Sequence, residues 1–336
     1  MTDTTPSASV AIIIPHHNGL DDILTCLASV YALSYPYFSV LVVNNASTDN
    51  SLEAVQRAFP SVRILTNPEN LGFAAACNVG ARYALAAGAE YLWLLNNDTI
   101  VDRSALTALV DAATKDRSIG MTGSRIYYFD RKNVIWSAGM RIEWARGEST
   151  SIGCGDLDVG QFGQPKEVEA LTGCSLLVTR RLCETVGLME EKFFLYAEEI
   201  DWCARATRQY WKCIYTPESI VYHKVGASSG ARWPTIFSYY NTRNMLEVIR
   251  RNHSFPHREL FLVTAISRTL WRTKKEFLKA LITMITGPIR YRYNLSAFFG
   301  TIHFARRRFG PTPISTIMSY QNLEELRSGP NPPSSI

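Results

Sequence analysis

Over roughly its first 130 residues the chain alternates short, unbroken apolar runs with longer stretches in which apolar positions recur every three to four residues. Val10-Ala11-Ile12-Ile13-Ile14-Pro15 shows no polar alternation, so it predicts a strand buried on both faces and stopped by Pro15. Asp21–Ala32 has helical periodicity, and Val40-Leu41-Val42-Val43 predicts a second buried strand. Asp49 or Ser51 can cap a helix that runs to about Phe59. Val62–Leu65, Gly72–Ala87, Tyr91–Leu95 and Asp102–Thr114 then read as strand, Ala-rich helix, strand and helix. Alternation at this spacing predicts a parallel sheet wrapped by helices, with right-handed crossovers.

The pattern changes near Ile119. Residues 119–178 predict short β pieces with Gly and aromatic residues, among them Val134–Arg141 and Leu171–Val178. Gly147–Gln164 is rich in Gly, Ser and Asp and predicts a mobile loop. Arg180–Val186 and Glu199–Arg208 read as helices, and Cys213–Tyr215 and Ile220–Tyr222 as short strands flanking Pro217. Beyond Trp233-Pro234 the chain predicts helices at about 235–252, 257–285 and 290–308, and a disordered tail with three prolines from Ser328 to Ile336. The expected organisation is a domain at 1–232, a helical region at 233–327 and a tail at 328–336.

Composition narrows the class. The 336 residues suffice for one large domain with an appendage or for two domains, and 46% hydrophobic with 19% charged residues is ordinary for a globular protein. Seven scattered cysteines with no C-x-x-C pair argue for reduced thiols in a cytosolic protein, against a disulfide framework or a zinc site. Met1–Ser9 is polar and does not read as a signal peptide, and no apolar run approaches the ~18 residues of a membrane span. Charge is uneven: Met1–His223 has 18 Lys/Arg against 25 Asp/Glu, net −7, whereas Lys224–Ile336 has 17 against 5, net +12. The basic half points to an anionic partner.

Four polar segments lie directly beyond apolar runs, where α/β sheets bind ligands. Asn44, Asn45 and Asp49 follow the second strand. An amide can match the donor between two acceptors on uracil or thymine, whereas guanine suits a carboxylate, so a pyrimidine nucleotide is expected. The same residues also read as an Asx turn and helix cap. Asn96-Asn97-Asp98 follows the fourth strand. A hard divalent ion bridging a diphosphate needs few carboxylates, which makes Asp98 the candidate ligand, with Asn96 near the ribose; a strand-end turn is the other reading. Glu198, Glu199 and Asp201 are three carboxylates within four residues. They raise one another's pKa, as a general base near neutrality requires, while the helix N-terminus offsets part of the repulsion. A solvated helix start remains the alternative. His223 ends a strand and reads as a ligand or as a structural histidine. Lys224, Ser228 and Ser229 follow at once and suit a diphosphate. Gly226–Gly230 also matches G-x-S-x-G, but Trp233-Pro234 interrupts the helix that a hydrolase elbow needs. Neither G-x-G-x-x-G after the first strand nor a Walker A motif is present.

These residues, with their neighbours, resemble family 2 glycosyltransferases, the inverting GT-A enzymes, and most of all the bacterial rhamnosyltransferase-like branch. The resemblance runs from about Val10 to Arg251 through seven segments in order: Ile12–Gly19, Asn44–Asn50, Asn70–Asn78, Leu94–Thr99, Thr172–Cys174, Phe193–Arg205 and His223–Gly230. It implies an α/β, Rossmann-like GT-A fold, a mostly parallel sheet flanked by helices, here followed by a basic C-terminal helical appendage. It implies that the loop after the second strand binds the nucleobase, with Asn44 standing where an Asp is usual. Pro15, Asn18, Ser47, Asp49, Asn70, Gly72, Phe73, Asn78, Asn96 and Asn97 fall in the segments expected to hold the nucleotide sugar. The D-x-D-like element maps onto Asn96-Asn97-Asp98, whose last residue coordinates Mg²⁺ or Mn²⁺, and His223 matches a histidine that reaches the same ion. The Glu-Asp motif maps onto Glu198-Glu199. That makes Glu199 the catalytic base, one methylene longer than the usual Asp, a reach of ~1.5 Å. Gly173, Cys174, Glu198, Asp201, Lys224, Ser228 and Ser229 are expected around acceptor and diphosphate.

The implied activity is metal-dependent, inverting transfer of a sugar, with rhamnose a candidate. The donor is a dTDP- or UDP-sugar and the acceptor a glycan or a polyprenyl-diphosphate-linked sugar in cell-surface polysaccharide synthesis. A cytoplasmic protein, peripheral at the inner face of the membrane, is expected, without a nucleic-acid partner. The departures at Asn44 and Glu199 also fit a second function, a weak or inactive nucleotide-sugar-binding scaffold that partners another transferase. Sugar choice is expected to lie around Trp136, Trp144 and residues 147–164. Trp271, Phe277, Leu278, Leu281, Ile282 and Ile285 are interleaved with Arg268, Arg272, Lys274, Lys275 and Lys279. That segment reads either as an interfacial helix on anionic lipid or as a helical cap with a basic solvated face.

Overall fold

The computed structural model describes residues 9–224, 233–286, 294–313 and 316. The Gly226–Gly230 match with Ser228 and Ser229, the side chains of Phe277, Leu278, Lys279, Leu281, Ile282 and Ile285, and the tail from Ser328 lie outside what is described.

The chain divides into two compact units, Met1–Glu143 with Ser149–Ser228, and Trp144–Glu148 with Ser229–Ile336. In the first unit the elements run in order through β1 (Val10–His16), α1 (Leu20–Val30), β2 (Phe38–Asn44), α2 (Ser51–Ala58), β3 (Arg63–Thr66), α3 (Phe73–Ala86), β4 (Tyr91–Leu95), β5 (Thr99–Val101) and α4 (Ala105–Thr114). There follow β6 (Ile119–Tyr128), β7 (Ile135–Ser137), β8 (Met140–Glu143), β9 (Glu148–Ser151), β10 (Lys166–Glu167), β11 (Ser175–Thr179), α5 (Arg180–Val186), α6 (Glu198–Thr207) and β12 (Lys212–His223).

The sheet order is β10-β12-β6-β11-β4-β1-β2-β3. β3, β2, β1 and β4 pair in parallel, as do β6 and β12. β11 is antiparallel to both β4 and β6, so all six strands point the same way around one reversed strand. The apolar runs form the centre because a strand covered on both faces gains from having no polar side chain to desolvate. Ile12, Ile13, Ile14, Val42, Val43, Leu92 and Trp93 are all fully buried. α1 turns Ile23, Cys26, Leu27 and Val30 inward, the stripe its periodicity predicts. α3 lies close on the sheet because Gly80 has no side chain: a Cβ there would meet Ile13 Cγ2 at 2.5 Å.

Three regions differ from the sequence reading. β6 is a ten-residue strand, not short pieces. β12 is one strand of twelve residues through Pro217, because its register with β6 shifts between Thr216 and Ile220. A proline has no N–H to give to a ladder, and a bulge removes the need for one. Residues 147–164 contain β9 and an anchored Asp158, which takes Arg125 Nη1 at 2.9 Å and Tyr127 Oη at 2.5 Å, so the segment is not a plain loop.

The second unit contains α7 (Trp233–Asn252), α8 (His257–Thr286) and α9 (Asn294–Ala305), with Trp144–Glu148, five residues inside the range predicted for the first domain. Its apolar cluster is Leu246, Ile249, Ala265 and Phe304, flanked by Trp144, Phe261, Leu262, Ile266 and Phe309. Arg243 is fully buried, its guanidinium 4.8 Å from the Tyr240 ring centre and 5.5 Å from that of Phe309. Among the described residues no helix is long and apolar enough to cross a membrane.

Candidate active site

The carboxyl ends of β1, β2, β4 and β12 and the amino end of the reversed β11 meet at one edge of the sheet. His16 pairs in register with Asn44, Leu95 with Ser175, and Thr99 of β5 with His223. The reversal of β11 lets Gly173 and Cys174 enter this edge beside the loop that leaves β4. The Asn96 N–H donates to the Cys174 carbonyl at 3.0 Å.

Asp98 and His223 form the charged centre. Both are buried, and Asp98 Oδ1 lies 3.1 Å from His223 Nε2. The Asn96 amide sits 3.5 Å from the same nitrogen. The Trp136 ring meets the His223 ring edge-on at 4.6 Å. Burial opposes charge on His223, but Cys174 and Asp98 beside it hold the imidazole above its usual range. Asp98 and His223 place a carboxylate oxygen and an imidazole nitrogen side by side, close enough to share one ion. That donor set fits a hard divalent cation that completes its coordination with phosphate oxygens and water. Among the described residues no cluster of three His, Cys, Asp or Glu forms a self-contained metal cage.

The second centre lies at the start of α6. Phe194, Tyr196 and Ala197 all have left-handed backbones, with φ of 67°, 67° and 69°. Such conformations are strained for side-chain-bearing residues and persist only when neighbours impose them. Here the Phe194 carbonyl accepts the Phe73 N–H at 2.7 Å, over Gly72. The turn delivers Glu198 and Glu199 side by side. Each keeps one carboxylate oxygen, Oε2, buried without a hydrogen-bond partner. Burial and then the charge of Glu199 push Glu198 well above the carboxylate range. Burial also raises Glu199, but backbone N–H groups of Glu199 itself and Gly173 pull it back to about 7. The Gly173 contact ties this centre to Cys174, and through Cys174 to His223 and Asn96. Phe73 closes the same corner, since a Cβ on Gly173 would lie 3.0 Å from its ring.

Other candidate residues hold the site together. Asn44 Oδ1 accepts the Ser47 N–H at 2.8 Å, an Asx turn, and the residue is buried. Asp49 receives the Gly19 N–H at 2.8 Å and the Ser51 hydroxyl. Asn18 Oδ1 accepts the Thr48 N–H at 2.8 Å, and Ser47 Oγ accepts the Asn18 N–H at 3.0 Å. Asn70 Oδ1 takes Asn45 Nδ2 at 2.8 Å and the Gly72 N–H at 3.0 Å. Pro15 is half-buried in β1, opposite Val43 of β2. Asn78 is a buried strut from α3: its amide donates to Met189 O at 2.9 Å and Glu191 Oε1 at 3.0 Å, which uses both amide protons. Asp201 is fully buried and paired with Arg205 at 2.8 Å, while Arg205 also donates to the Val186 and Leu188 carbonyls. Asp201 is thus a structural anchor of α6. Lys224 pairs with Asp22 at 2.7 Å.

Two residues that the sequence placed in its segments gain a defined role in three dimensions. His16, at the end of β1, accepts Asn97 Nδ2 at 2.9 Å on Nδ1 and lies 2.8 Å from Ser51 Oγ through Nε2. Burial lowers its pKa to about 4 against the pull of Asp49, so it is neutral and joins the Asn97 loop to the Ser51–Asp49 loop. Asn45 is the hub of the other loop: it donates to Gly72 O at 3.1 Å and accepts from Asn67 and the Leu71 N–H. Both are polar residues at strand ends, and the sequence marks that position but not their partners.

Comparison with known proteins adds the following. Residues 11–163 match the family model described as Glycosyl transferase family 2. The chain is 28% identical over 254 residues to N-acetylglucosaminyl-diphospho-decaprenol L-rhamnosyltransferase of Mycobacterium tuberculosis, covering 68% of this chain and 79% of the relative. It is 23% identical over 273 residues to the dTDP-rhamnosyl transferase RfbF of Shigella flexneri, covering 75% and 88%. Among solved structures its fold is similar to mannosyltransferase PcManGT from Pyrobaculum calidifontis in complex with GDP-Man and Mn²⁺, with a TM-score of 0.55, 18% identity, and 95% and 86% coverage. It is also similar to GalNAc-T7 with UDP, GalNAc and Mn²⁺, with a TM-score of 0.57, 16% identity, and 73% and 48% coverage. At these identities the structural likeness concerns the fold alone.

Proposed function

We propose that this chain, which belongs to the family 2 glycosyltransferases and has their GT-A fold, transfers rhamnose from a dTDP- or UDP-linked donor to a sugar hydroxyl on a polyprenyl-diphosphate-linked acceptor. The observation that carries the reading is the pairing of a half-buried carboxyl poised near pH 7, Glu199, with the Asp98–His223 centre through Gly173-Cys174. The names of the rhamnosyl relatives support a dTDP-rhamnose donor and a polyprenyl-diphosphate-linked acceptor.

Glu199 accepts the proton of the acceptor hydroxyl as that oxygen attacks the anomeric carbon. The bond from this carbon to the diphosphate oxygen breaks, and the diphosphate leaves with the electron pair, so one displacement inverts the centre. Asp98 and His223 would hold Mg²⁺ or Mn²⁺, an ion that supplies Lewis-acid stabilisation to the leaving diphosphate. A base whose pKa lies near the working pH combines availability with driving force. Asn96, tied through its backbone to Cys174, fixes the spacing between the two centres. Asn44, Asp49 and His16 act by holding the nucleotide loop in shape.

The test is a calorimetric titration with dTDP, UDP and GDP, with and without Mn²⁺, followed by turnover of dTDP-rhamnose with a lipid-diphosphate-linked N-acetylglucosamine. Metal-dependent binding of one pyrimidine nucleotide, lost in Asp98→Ala, and turnover reduced about 10²–10⁴-fold in Glu199→Gln are expected. Nucleotide binding without turnover of any donor would replace this reading by the scaffold.

A further inference from the structure

We propose that the outer face of α8 docks the protein on an anionic membrane surface, an inference that does not rest on the transfer reaction. At 100° per residue, Leu260, Val263, Thr264, Ser267, Leu270, Trp271, Lys274 and Lys275 fall on one arc of the helix, and all are exposed. Leu260 is 59% exposed, Val263 62%, Leu270 44% and Trp271 60%, and Phe255, just before the helix, is 75% exposed. The opposite arc is already used: Phe261, Leu262, Ala265 and Ile266 pack into the core of the second unit. Two of the basic residues are used as well, since Arg268 and Arg272 pair with Glu148 at 3.5 and 2.8 Å.

Charge identifies the occupant. The outer arc has no acidic residue among those described, and its apolar strip ends in Lys274 and Lys275, with Lys275 Nζ 5.1 Å from the Trp271 ring. A row of large apolar side chains with an indole and lysines at one end matches the depth profile of a bilayer interface: hydrocarbon, then headgroup, then phosphate. A protein partner would more often present a mixed-charge rim. The helix is too polar to cross, so the contact is peripheral.

The experiment is flotation of the full chain with phosphatidylcholine vesicles, with and without phosphatidylglycerol, at low and high salt. The wild type floats with the anionic vesicles and is released by salt. Changing Lys274 and Lys275 to Gln weakens that binding about thirty-fold, from about 1 kcal/mol for each basic residue near the surface. Replacing Leu260, Val263, Leu270 and Trp271 by Ser weakens it at least about tenfold on both vesicle types. All four side chains are exposed, so the urea midpoint stays unchanged. A wild type that remains with the soluble fraction, or an apolar variant that floats equally well, overturns the proposal. So does a wild-type dimer, seen by light scattering, that the apolar substitutions dissociate, because the face would then belong to a second copy.

Discussion

Glu198 and Glu199 are neighbours in sequence with different fates. Burial and the charge of Glu199 raise Glu198 well above the carboxylate range, whereas backbone N–H groups bring Glu199 back to about 7. In the proposed reaction, kcat/KM therefore rises with pH through about 7 and levels above it, and Glu199→Gln removes the limb along with the activity. Glu198→Gln, a near-isostere of the protonated acid, retains most turnover. Stability moves the opposite way. The folded chain binds the Glu199 proton more tightly than the unfolded one, so this carboxyl's contribution is fully favourable below the unfolded value of 4.5 and is lost as pH rises from there to about 7. Urea midpoints of wild type and Glu199→Gln, taken below pH 4.5 and above about 7, converge in acid and separate in favour of the variant in base. His16 makes a third test. Its removal takes an acceptor from the Asn97 amide and a partner from Ser51 Oγ, which keeps its bond to Asp49, so His16→Ala is expected to cost about 2 kcal/mol in denaturant unfolding. Residue types at strand ends could be read from the sequence, but their partners could not. Asn78 and Met189 lie 111 residues apart, and nothing local marks that amide as a strut.

At the scale of elements, the turn before α6 depends on a residue it does not contain. A Cβ on Gly72 would lie 2.2 Å from the Phe194 carbonyl oxygen, and Gly72 itself has φ +84°. Gly72→Ala must displace the left-handed turn that aims both glutamates. It is expected to lower stability by about 2–4 kcal/mol and to reduce turnover more than donor binding, as calorimetry beside steady-state kinetics would show. Asp201→Ala acts on the same helix from within: it leaves Arg205 half-buried without its carboxylate, an expected loss of about 3–5 kcal/mol. The alternating first half was legible because runs such as Val10–Ile14 are buried on both faces and admit no other period. β5 was not legible, being three residues long. β12 was misread at Pro217 because a proline normally ends a strand and only the register shift absorbs it. The reversed direction of β11 leaves no trace in its own five residues, whose apolar run suits either orientation.

For the molecule as a whole, the sequence showed a charge divide near His223, and the structure places a separate apolar core on either side of it. Glu247 is fully buried in α7 and takes Arg250 Nε at 2.6 Å. Glu247→Leu should therefore raise hydrogen exchange in α7 and α9 while β1, β2 and β4 stay protected, because the two cores are built from different residues.

The reversed strand has a consequence during synthesis. β4 presents Leu92, Trp93, Leu94 and Leu95 along an edge that β11 covers, and Trp93 bonds to Ser175 across 82 residues of chain. At about 5–20 residues per second, the ribosome leaves that edge uncovered for roughly 4–16 s. A nascent chain halted before Ser175 bears an unpaired apolar strand, the kind of surface that templates aggregation and recruits chaperones.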